Sequence, residues 1–206
     1  MARTAAVILA AGEARRYGSP KQLLFIDGVP MVRRIASNAL EAGLHPVMVV
    51  VGSRREPIVA CLDQLDVHAV DNIHWASGMG SSIAAGVKAL MMHTARPQSV
   101  MVMLADQPAI RVVDLERMLA RHAQSPDRIL ACQHEGRFSP PCIFPWSHAG
   151  ELAVLETARG AHALLERHAA LVDGVDLPAA FCDIDTPEDY AAWQAHRGVA
   201  SMDESG

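Results

Sequence analysis

Blocks of apolar residues alternate along the chain with segments of helical periodicity. The apolar blocks are rich in Val, Ile, Leu and Met, a composition typical of strands that are buried on both faces of a sheet. They predict strands at residues 5–10, 46–52, 67–70, 99–105, 128–133 and 171–175. Residues 135–141 contain Gly, Ser and two prolines and predict a loop, which a short apolar stretch to Phe144 follows.

Helices are predicted between these strands. Residues 30–42 place apolar side chains on one helical face, with Pro30 at the start and Gly43 just past the end, an arrangement that favours a helix with defined ends. Alternating strands and helices predict an α/β fold, a three-layer α/β/α, Rossmann-like domain with a mostly parallel sheet. The other predicted helices lie at 54–65, 81–93, from Pro108 to about 124, at 151–155 and 161–169, and from Pro187 onward with Thr186 as N-cap.

Length and composition fit one domain with a sizeable core, because half of the 206 residues are hydrophobic. We predict a single domain over 1–198 and a flexible C-terminal tail over 199–206. The net charge of -5 provides no basic field for nucleic acid, and no apolar run is long enough to span a membrane. The four cysteines and ten histidines lack metal-ligand spacing. We therefore expect reduced thiols, a cytoplasmic location and a monomer or weak homo-oligomer.

The loop after the first strand has the features of a phosphate site. Small residues around Gly12 let backbone N–H groups approach an anion, and Arg15, Arg16 and Lys21 add positive charge. Five residues separate Gly12 from Gly18, so the loop is neither a Walker motif nor a GxGxxG turn. From the residues alone, a surface loop with solvated charges remains an equal alternative.

Two acidic segments are candidates for a metal site. Asp106 follows the apolar run 100–104 at the ligand edge of the predicted sheet, where a carboxylate suits Mg²⁺. Asp183 and Asp185 precede the last helix. The alternatives are structural, since Asp106 could cap the next turn and the later acids could complement the dipole of the last helix.

Residues 78–82 (Gly-Met-Gly-Ser-Ser) precede a helix that Ser81 or Ser82 could cap. The segment begins like GxGxxG, but Ile83 replaces the third glycine. It also resembles a nucleophile elbow without the preceding strand. Both signals are weak, and a plain turn with a helix cap explains the same residues.

Several segments together resemble the MobA/MocA-like nucleotidyltransferases, a branch of the nucleoside-diphosphate-sugar pyrophosphorylase superfamily. The N-terminal Leu-Ala-Ala-Gly-x-x-x-Arg-x-Gly-x-x-Lys is similar to the signature of that family. The resemblance extends over nearly the whole chain, and the other segments are 104–108 (LADQP), 183–189 (DIDTPED), 78–82, 136–144 and 160–165. It implies a fold of the nucleotide-diphospho-sugar transferase type.

The resemblance also implies roles for individual residues. Arg16, Lys21 and Asp106 would be catalytic, and Asp106 and Asp185 would hold Mg²⁺. The acceptor would contact Ser139, Pro140, Pro141 and His162. The NTP would be bound by Leu9, Ala10, Ala11, Gly12, Arg16, Lys21, Gly80, Ser82 and Asp106.

The substrates implied are CTP and molybdopterin or molybdenum cofactor, because relatives with Leu-Ala-Ala-Gly resemble cytidylyltransferases. The alternatives are a GTP-dependent molybdopterin guanylyltransferase and a sugar-phosphate nucleotidyltransferase. A molybdoenzyme or its chaperone would receive the product. Departures from the family pattern at Ser139-Pro140 and His162 leave the acceptor open, and Ala14 stands where relatives commonly carry a serine in the first loop. An alternative from another class is a non-catalytic cofactor carrier. A nicotinamide-binding oxidoreductase is disfavoured, because the chain lacks a complete glycine fingerprint.

Overall fold

A computed structural model describes residues 3–13, 17–18, 20–156 and 158–203. Seven strands form one sheet in the order β5-β4-β1-β6-β8-β7-β9, and β2 pairs with β3 in a separate hairpin. The strands are β1 (Thr4–Leu9), β2 (Phe25–Ile26), β3 (Val29–Pro30), β4 (Val47–Val51), β5 (His68–Asp71), β6 (Ser99–Leu104), β7 (Ile129–His134), β8 (Arg137–Pro145) and β9 (Val172–Asp176).

Helices cover both faces of the large sheet. On one face, α1 and α4 share a core with Ala6 and Ile8 of β1. On the other, α3 packs against Ala5 and Val7. The alternation along β1 follows from the two-residue period of a strand, and the predicted three-layer α/β fold is confirmed. The helices are α1 (Met31–Glu41), α2 (Arg55–Cys61), α3 (Met79–Met92), α4 (Val112–His122), α5 (Ala149–Leu152), α6 (His162–Arg167) and α7 (Pro187–Asp203).

Helix α3 lies unusually close to the centre of the sheet. A Cβ atom at Gly86 would stand 2.4 Å from Val7 Cγ1 and 3.0 Å from Val50 Cγ2. A side chain at residue 86 would therefore push the helix away from β1 and β4. Because the cleft described below lies between the N-terminus of α3 and the end of β1, this close packing helps to fix its width.

Residues 137–141 form the first half of β8, so the prediction of a loop over 135–141 was wrong. β8 runs antiparallel to β6 and β7, while the other described pairings in this sheet are parallel. Glu135 and Gly136 connect β7 to β8, and both have positive φ (49° and 75°), as a tight hairpin turn requires. The polar residues and prolines of this half-strand conceal it in the sequence.

The last helix begins as predicted. Asp189 N donates to Thr186 Oγ1 (3.2 Å), and Thr186 N donates to Asp189 Oδ2 (2.8 Å), which is the reciprocal pattern of a capping box. The helix continues to Asp203, into the segment predicted as a tail. None of the helices in the part of the chain that the structure describes is long and apolar enough to cross a membrane.

Candidate active site

A cleft of about 490 Å³ opens at the carboxyl ends of β1 and β6. These strands are parallel neighbours with Leu9 beside Leu104, so the segments that follow them meet at one edge of the sheet. Gly12 comes from the first segment, and Asp106 comes from the second. The predicted phosphate loop and the predicted metal-binding aspartate therefore face the same space.

The ammonium of Lys21 lies between two carboxylates. Its Nζ atom is 2.6 Å from Asp106 Oδ2 and also donates a short hydrogen bond to Asp185 Oδ1. Burial lowers the pKa of Lys21, but attraction and hydrogen bonds from Asp106 and Asp185 outweigh it and leave the pKa above its ordinary value. The side chain therefore stays positively charged at neutral pH.

Among the described residues at this point of the cleft, negative charge exceeds positive charge. Desolvation, followed by the nearby carboxylate of Asp106 and that of Asp185, raises the pKa of Asp183 to about 6, although solvent still reaches its side chain. Asp106 Oδ1 is buried and has no hydrogen-bond partner among the described residues. A buried acceptor without a partner is costly, so this atom has the capacity for one further cationic ligand.

The donor set fits a hard divalent cation. Carboxylate oxygens are the protein ligands that Mg²⁺ prefers, usually one or two per ion together with substrate phosphates. Asp106 offers its unpartnered Oδ1, and Asp185 lies on the other side of the Lys21 ammonium. The residues predicted to bind Mg²⁺ thus lie together, and their metal role stays a prediction.

Gln22 holds the glycine loop in place, and it was not among the predicted site residues. Its amide is buried, and Nε2 donates to Gly12 O (2.8 Å) and Ala10 O (3.3 Å). It lies beside Lys21 in a short 3₁₀ turn, Lys21–Leu23. The same turn therefore positions the cation and fixes the backbone of the loop that faces it.

The opposite wall of the cleft is formed by Trp75 and the start of α3. A Cβ atom at Gly52 would stand 2.6 Å from Ala11 O and 2.8 Å from Trp75 Cγ. Gly52 therefore lets Trp75 approach the glycine loop closely. Sequence reasoning missed Trp75, because a lone aromatic residue in a loop gives no pattern that indicates a ligand site.

Helix α3 is not capped by a serine, so that prediction was wrong. Gly78 is the N-cap residue, with φ of 114° and no side-chain cap hydrogen bond. Ser81 Oγ instead donates to Gly78 O and His74 O. Asn72 Nδ2 donates to the hydroxyls of Ser81 and Ser82 at 2.9 and 3.0 Å, which ties the end of β5 to this wall.

Most of the predicted nucleotide-binding residues lie at the cleft. Leu9, Ala11, Gly12, Lys21, Ser82 and Asp106 line it. Ala10 and Gly80 are buried behind its surface and do not belong to the described lining. Arg16 lies outside the described residues, as does Ala14.

The predicted acceptor residues do not line the described part of this cleft. Ser139 Oγ donates to Ala180 O (3.1 Å), and Pro140 O accepts from Gln107 Nε2 (3.0 Å). Pro141 is buried, whereas His162 is exposed on α6, 3.4 Å from Glu166. Ser139 and Pro140 contact the buried amide of Gln107, next to Asp106 in sequence, and His162 lies on a separate helix.

The fold agrees with comparisons to known proteins. Residues 6–172 match the MobA-like NTP transferase domain. The match covers most of the chain, so the protein belongs to this family, as the sequence motifs predicted.

Individual relatives differ in what their names describe. Nicotine blue oxidoreductase of Paenarthrobacter nicotinovorans is 36% identical over 135 residues, which are 65% of this chain and 63% of the relative. The bifunctional protein GlmU of Syntrophotalea carbinolica is 34% identical over 128 residues, 59% of this chain and 26% of GlmU. The chain therefore spans less than two thirds of the length of either relative.

A solved structure matches over nearly the full length of both chains. Rv0371c of Mycobacterium tuberculosis H37Rv is 27% identical with a TM-score of 0.76, and the match covers 93% of this chain and 96% of that one. A second structure of Rv0371c is a complex with manganese, at 26% identity and a TM-score of 0.71, covering 92% of this chain and 97% of that one.

Proposed function

We propose that this protein is a nucleotidyltransferase that moves a nucleoside monophosphate from an NTP to a phosphorylated acceptor. The observation that carries the proposal is the Lys21 ammonium between Asp106 and Asp185 in a cleft that the glycine loop borders. This arrangement offers a fixed cation for phosphate oxygens and carboxylates for a divalent ion, which are the groups that phosphoryl-type transfer requires.

The reaction is an in-line displacement at the α-phosphorus of the NTP. An acceptor phosphate oxygen forms the new bond to the α-phosphorus, the bond to the β-phosphate oxygen breaks, and pyrophosphate leaves. The acceptor phosphate is already ionised, so the step needs no general base. The backbone around Gly12 and the ammonium of Lys21 hold the triphosphate, and Arg16 adds a second cation. Asp106 and Asp185 would hold Mg²⁺, which would supply electrophilic stabilisation of phosphate oxygens.

The favoured substrates are CTP and molybdopterin or molybdenum cofactor. The Leu-Ala-Ala-Gly sequence at residues 9–12 and membership of the MobA-like family support this choice. GTP with the same acceptor, and a sugar phosphate with either nucleotide, are the alternatives. The product passes to a molybdoenzyme or its chaperone in the cytoplasm, a location that the free state of all four cysteines supports.

A panel of nucleotides and acceptors tests the proposal. Each of four NTPs is incubated with Mg²⁺ and with molybdopterin, molybdenum cofactor or a sugar phosphate, and pyrophosphate is measured. We expect release with CTP and a molybdopterin-type acceptor. Release of pyrophosphate with GTP or with a sugar phosphate would change the assigned substrate but would still support nucleotidyl transfer. If the protein binds the cofactor tightly but releases no pyrophosphate from any NTP, it is a cofactor carrier and not an enzyme.

A redox function is the second candidate, because the relative with 36% identity is named an oxidoreductase. The same cleft would then bind a redox dinucleotide in place of an NTP. Consumption of NADH or NADPH in the presence of nicotine blue, with no pyrophosphate from any NTP, would support it. The carboxylates around Lys21 favour nucleotidyl transfer, since hydride transfer does not require a divalent cation.

A further inference from the structure

A second group of potential metal ligands lies outside the cleft. His148 ends a short 3₁₀ turn, Glu151 lies one turn later in α5, and His168 follows the end of α6. Their ligand atoms all lie within 4.8 Å of one another. Among the described residues, these three side chains form a group that could hold a metal ion. The proposed nucleotidyl transfer does not use these residues.

The distances within this cluster are close to those of a tetrahedral site. Glu151 Oε1 is 3.3 Å from His148 Nδ1 and 3.0 Å from His168 Nε2. A tetrahedral ion with ligand bonds of about 2.1 Å separates neighbouring ligand atoms by about 3.4 Å. The two rings meet edge to face with centroids 4.7 Å apart, and all three ligand atoms lie within 4.8 Å of one another. The two nitrogens must therefore approach each other by up to about 1.4 Å to complete the tetrahedral geometry.

The chemistry of the three groups selects the metal. Two imidazoles and one carboxylate are a ligand set typical of Zn²⁺, whereas Mg²⁺ prefers oxygen ligands. His148 is buried, so the surrounding residues restrict the movement of its ring. Arg167 pairs with the other carboxylate oxygen, Oε2, and its side chain is 61% exposed. His168 Nε2 is also 3.0 Å from Oε2, but only Oε1 contacts both histidines. The guanidinium can therefore keep Oε2 or move into solvent while Oε1 binds the ion.

We infer that His148, Glu151 and His168 form a zinc site that joins α5 to α6. The segment between these helices carries Ala158 to the wall of the cleft, where a Cβ atom at Gly78 would stand 2.7 Å from Ala158 Cα. Zinc at this site ties α5, which precedes that segment, to His168 at the far end of α6, which follows it. The inferred role is support of the wall, with water as the fourth ligand of the zinc. The site is separate from the carboxylates around Lys21.

Zinc affinity of the full chain tests this inference. All proteins carry Asp106→Asn and Asp185→Asn, which remove carboxylates from the cleft, and folding is checked by circular dichroism. The stripped parent competes with a chromophoric chelator for Zn²⁺, and Co²⁺ serves as a spectroscopic probe. We expect one Zn²⁺ per chain and the intense visible absorption of tetrahedral Co²⁺.

Two variants and one control complete the experiment. His168→Ala and Glu151→Gln should each weaken zinc binding at least 100-fold. His68→Ala removes one ring of another histidine pair, 5.1 Å from the ring of His93, and should leave the affinity unchanged. No zinc binding by the parent, or equal affinity in the parent and both folded variants, would overturn the inference and would leave the cluster as an ion-pair network.

Discussion

Lys21 Nζ lies 2.6 Å from Asp106 Oδ2 across the cleft between the glycine loop and the end of β6. The two residues come from segments that follow neighbouring parallel strands, so the topology of the sheet brings them together. Their side chains are 13% and 21% exposed, which limits screening by water and strengthens the interaction compared with a surface pair. Loss of the Lys21 ammonium should therefore have a large effect on the reaction.

Replacing Lys21 by Met should remove the cation and keep most of the side-chain volume. We expect the rate of pyrophosphate release to fall by about 100-fold or more, since one fixed group that stabilises developing charge contributes on the order of 100- to 1,000-fold. Lys88→Met on the exposed side of α3 is the matched control and should keep the normal rate. A folded Lys21→Met protein with the parent rate would contradict the assignment of Lys21.

Removal of divalent cations should abolish the reaction. Asp106 Oδ1 has no partner among the described residues, and the side chain of Asp185 is 42% exposed, so an ion at this site exchanges with solvent. After dialysis against a chelator, pyrophosphate release should stop and return on addition of Mg²⁺ or Mn²⁺. Asp106→Asn should raise the metal concentration needed for half-maximal rate. Full activity in the chelated protein would exclude a metal-dependent transfer.

Gly52→Ala should weaken nucleotide binding without removing any polar group. The added methyl carbon would lie 2.6 Å from Ala11 O, so the glycine loop and Trp75 must separate. We expect a roughly tenfold increase in the Kd for the nucleotide, which is about 1.4 kcal/mol, measured by quenching of tryptophan fluorescence. Gly150→Ala, where a Cβ atom meets nothing within 4 Å, is the control and should bind normally.

Part of this site could be predicted from the sequence for physical reasons. The apolar runs that become β1 and β6 locate two strand ends, and parallel packing places Gly12 and Asp106 at one edge. Asp185 lies far from the other site residues in sequence, 164 positions after Lys21. Only the resemblance to a known family indicated that it belongs to the site.

Other features depend on tertiary contacts that a local pattern does not encode. The first half of β8 contains Ser139 and two prolines, and it forms a strand because β7 pairs with it from Arg137 to Ser139, while β6 pairs with the second half from Cys142 to Pro145. Gln22 gains its role from two carbonyl groups of the neighbouring loop. Trp75 gains its role from the missing side chain of Gly52. In each case the neighbour determines the function of the residue.

Gln107→Leu should destabilise the end of β6. Gln107 is buried, and its Nε2 donates to Ala180 O (2.7 Å), Pro140 O (3.0 Å) and Ser139 Oγ (3.3 Å). The substitution leaves these acceptors with fewer donors and should lower the free energy of unfolding by about 1–3 kcal/mol, measured by urea denaturation. Gln133→Leu on β7, where the side chain is only partly buried, should cost less. Equal stability of Gln107→Leu and the parent would show that these contacts contribute nothing net.

The four thiols should differ strongly in their reaction with iodoacetamide. Burial raises the pKa of Cys132 to about 12 and the pKa of Cys142 well above its ordinary value, while Cys182 is exposed. Since the thiolate is the reacting form, a pKa of about 12 leaves roughly one thiolate in 10,000 at pH 8. Mass spectrometry of the folded protein at pH 8 should show label on Cys182 and none on Cys132 or Cys142. In guanidinium chloride all four should react, because unfolding restores ordinary thiol pKa values. Rapid labelling of Cys132 in the folded chain would mean that β7 opens to solvent far more often than its buried position allows.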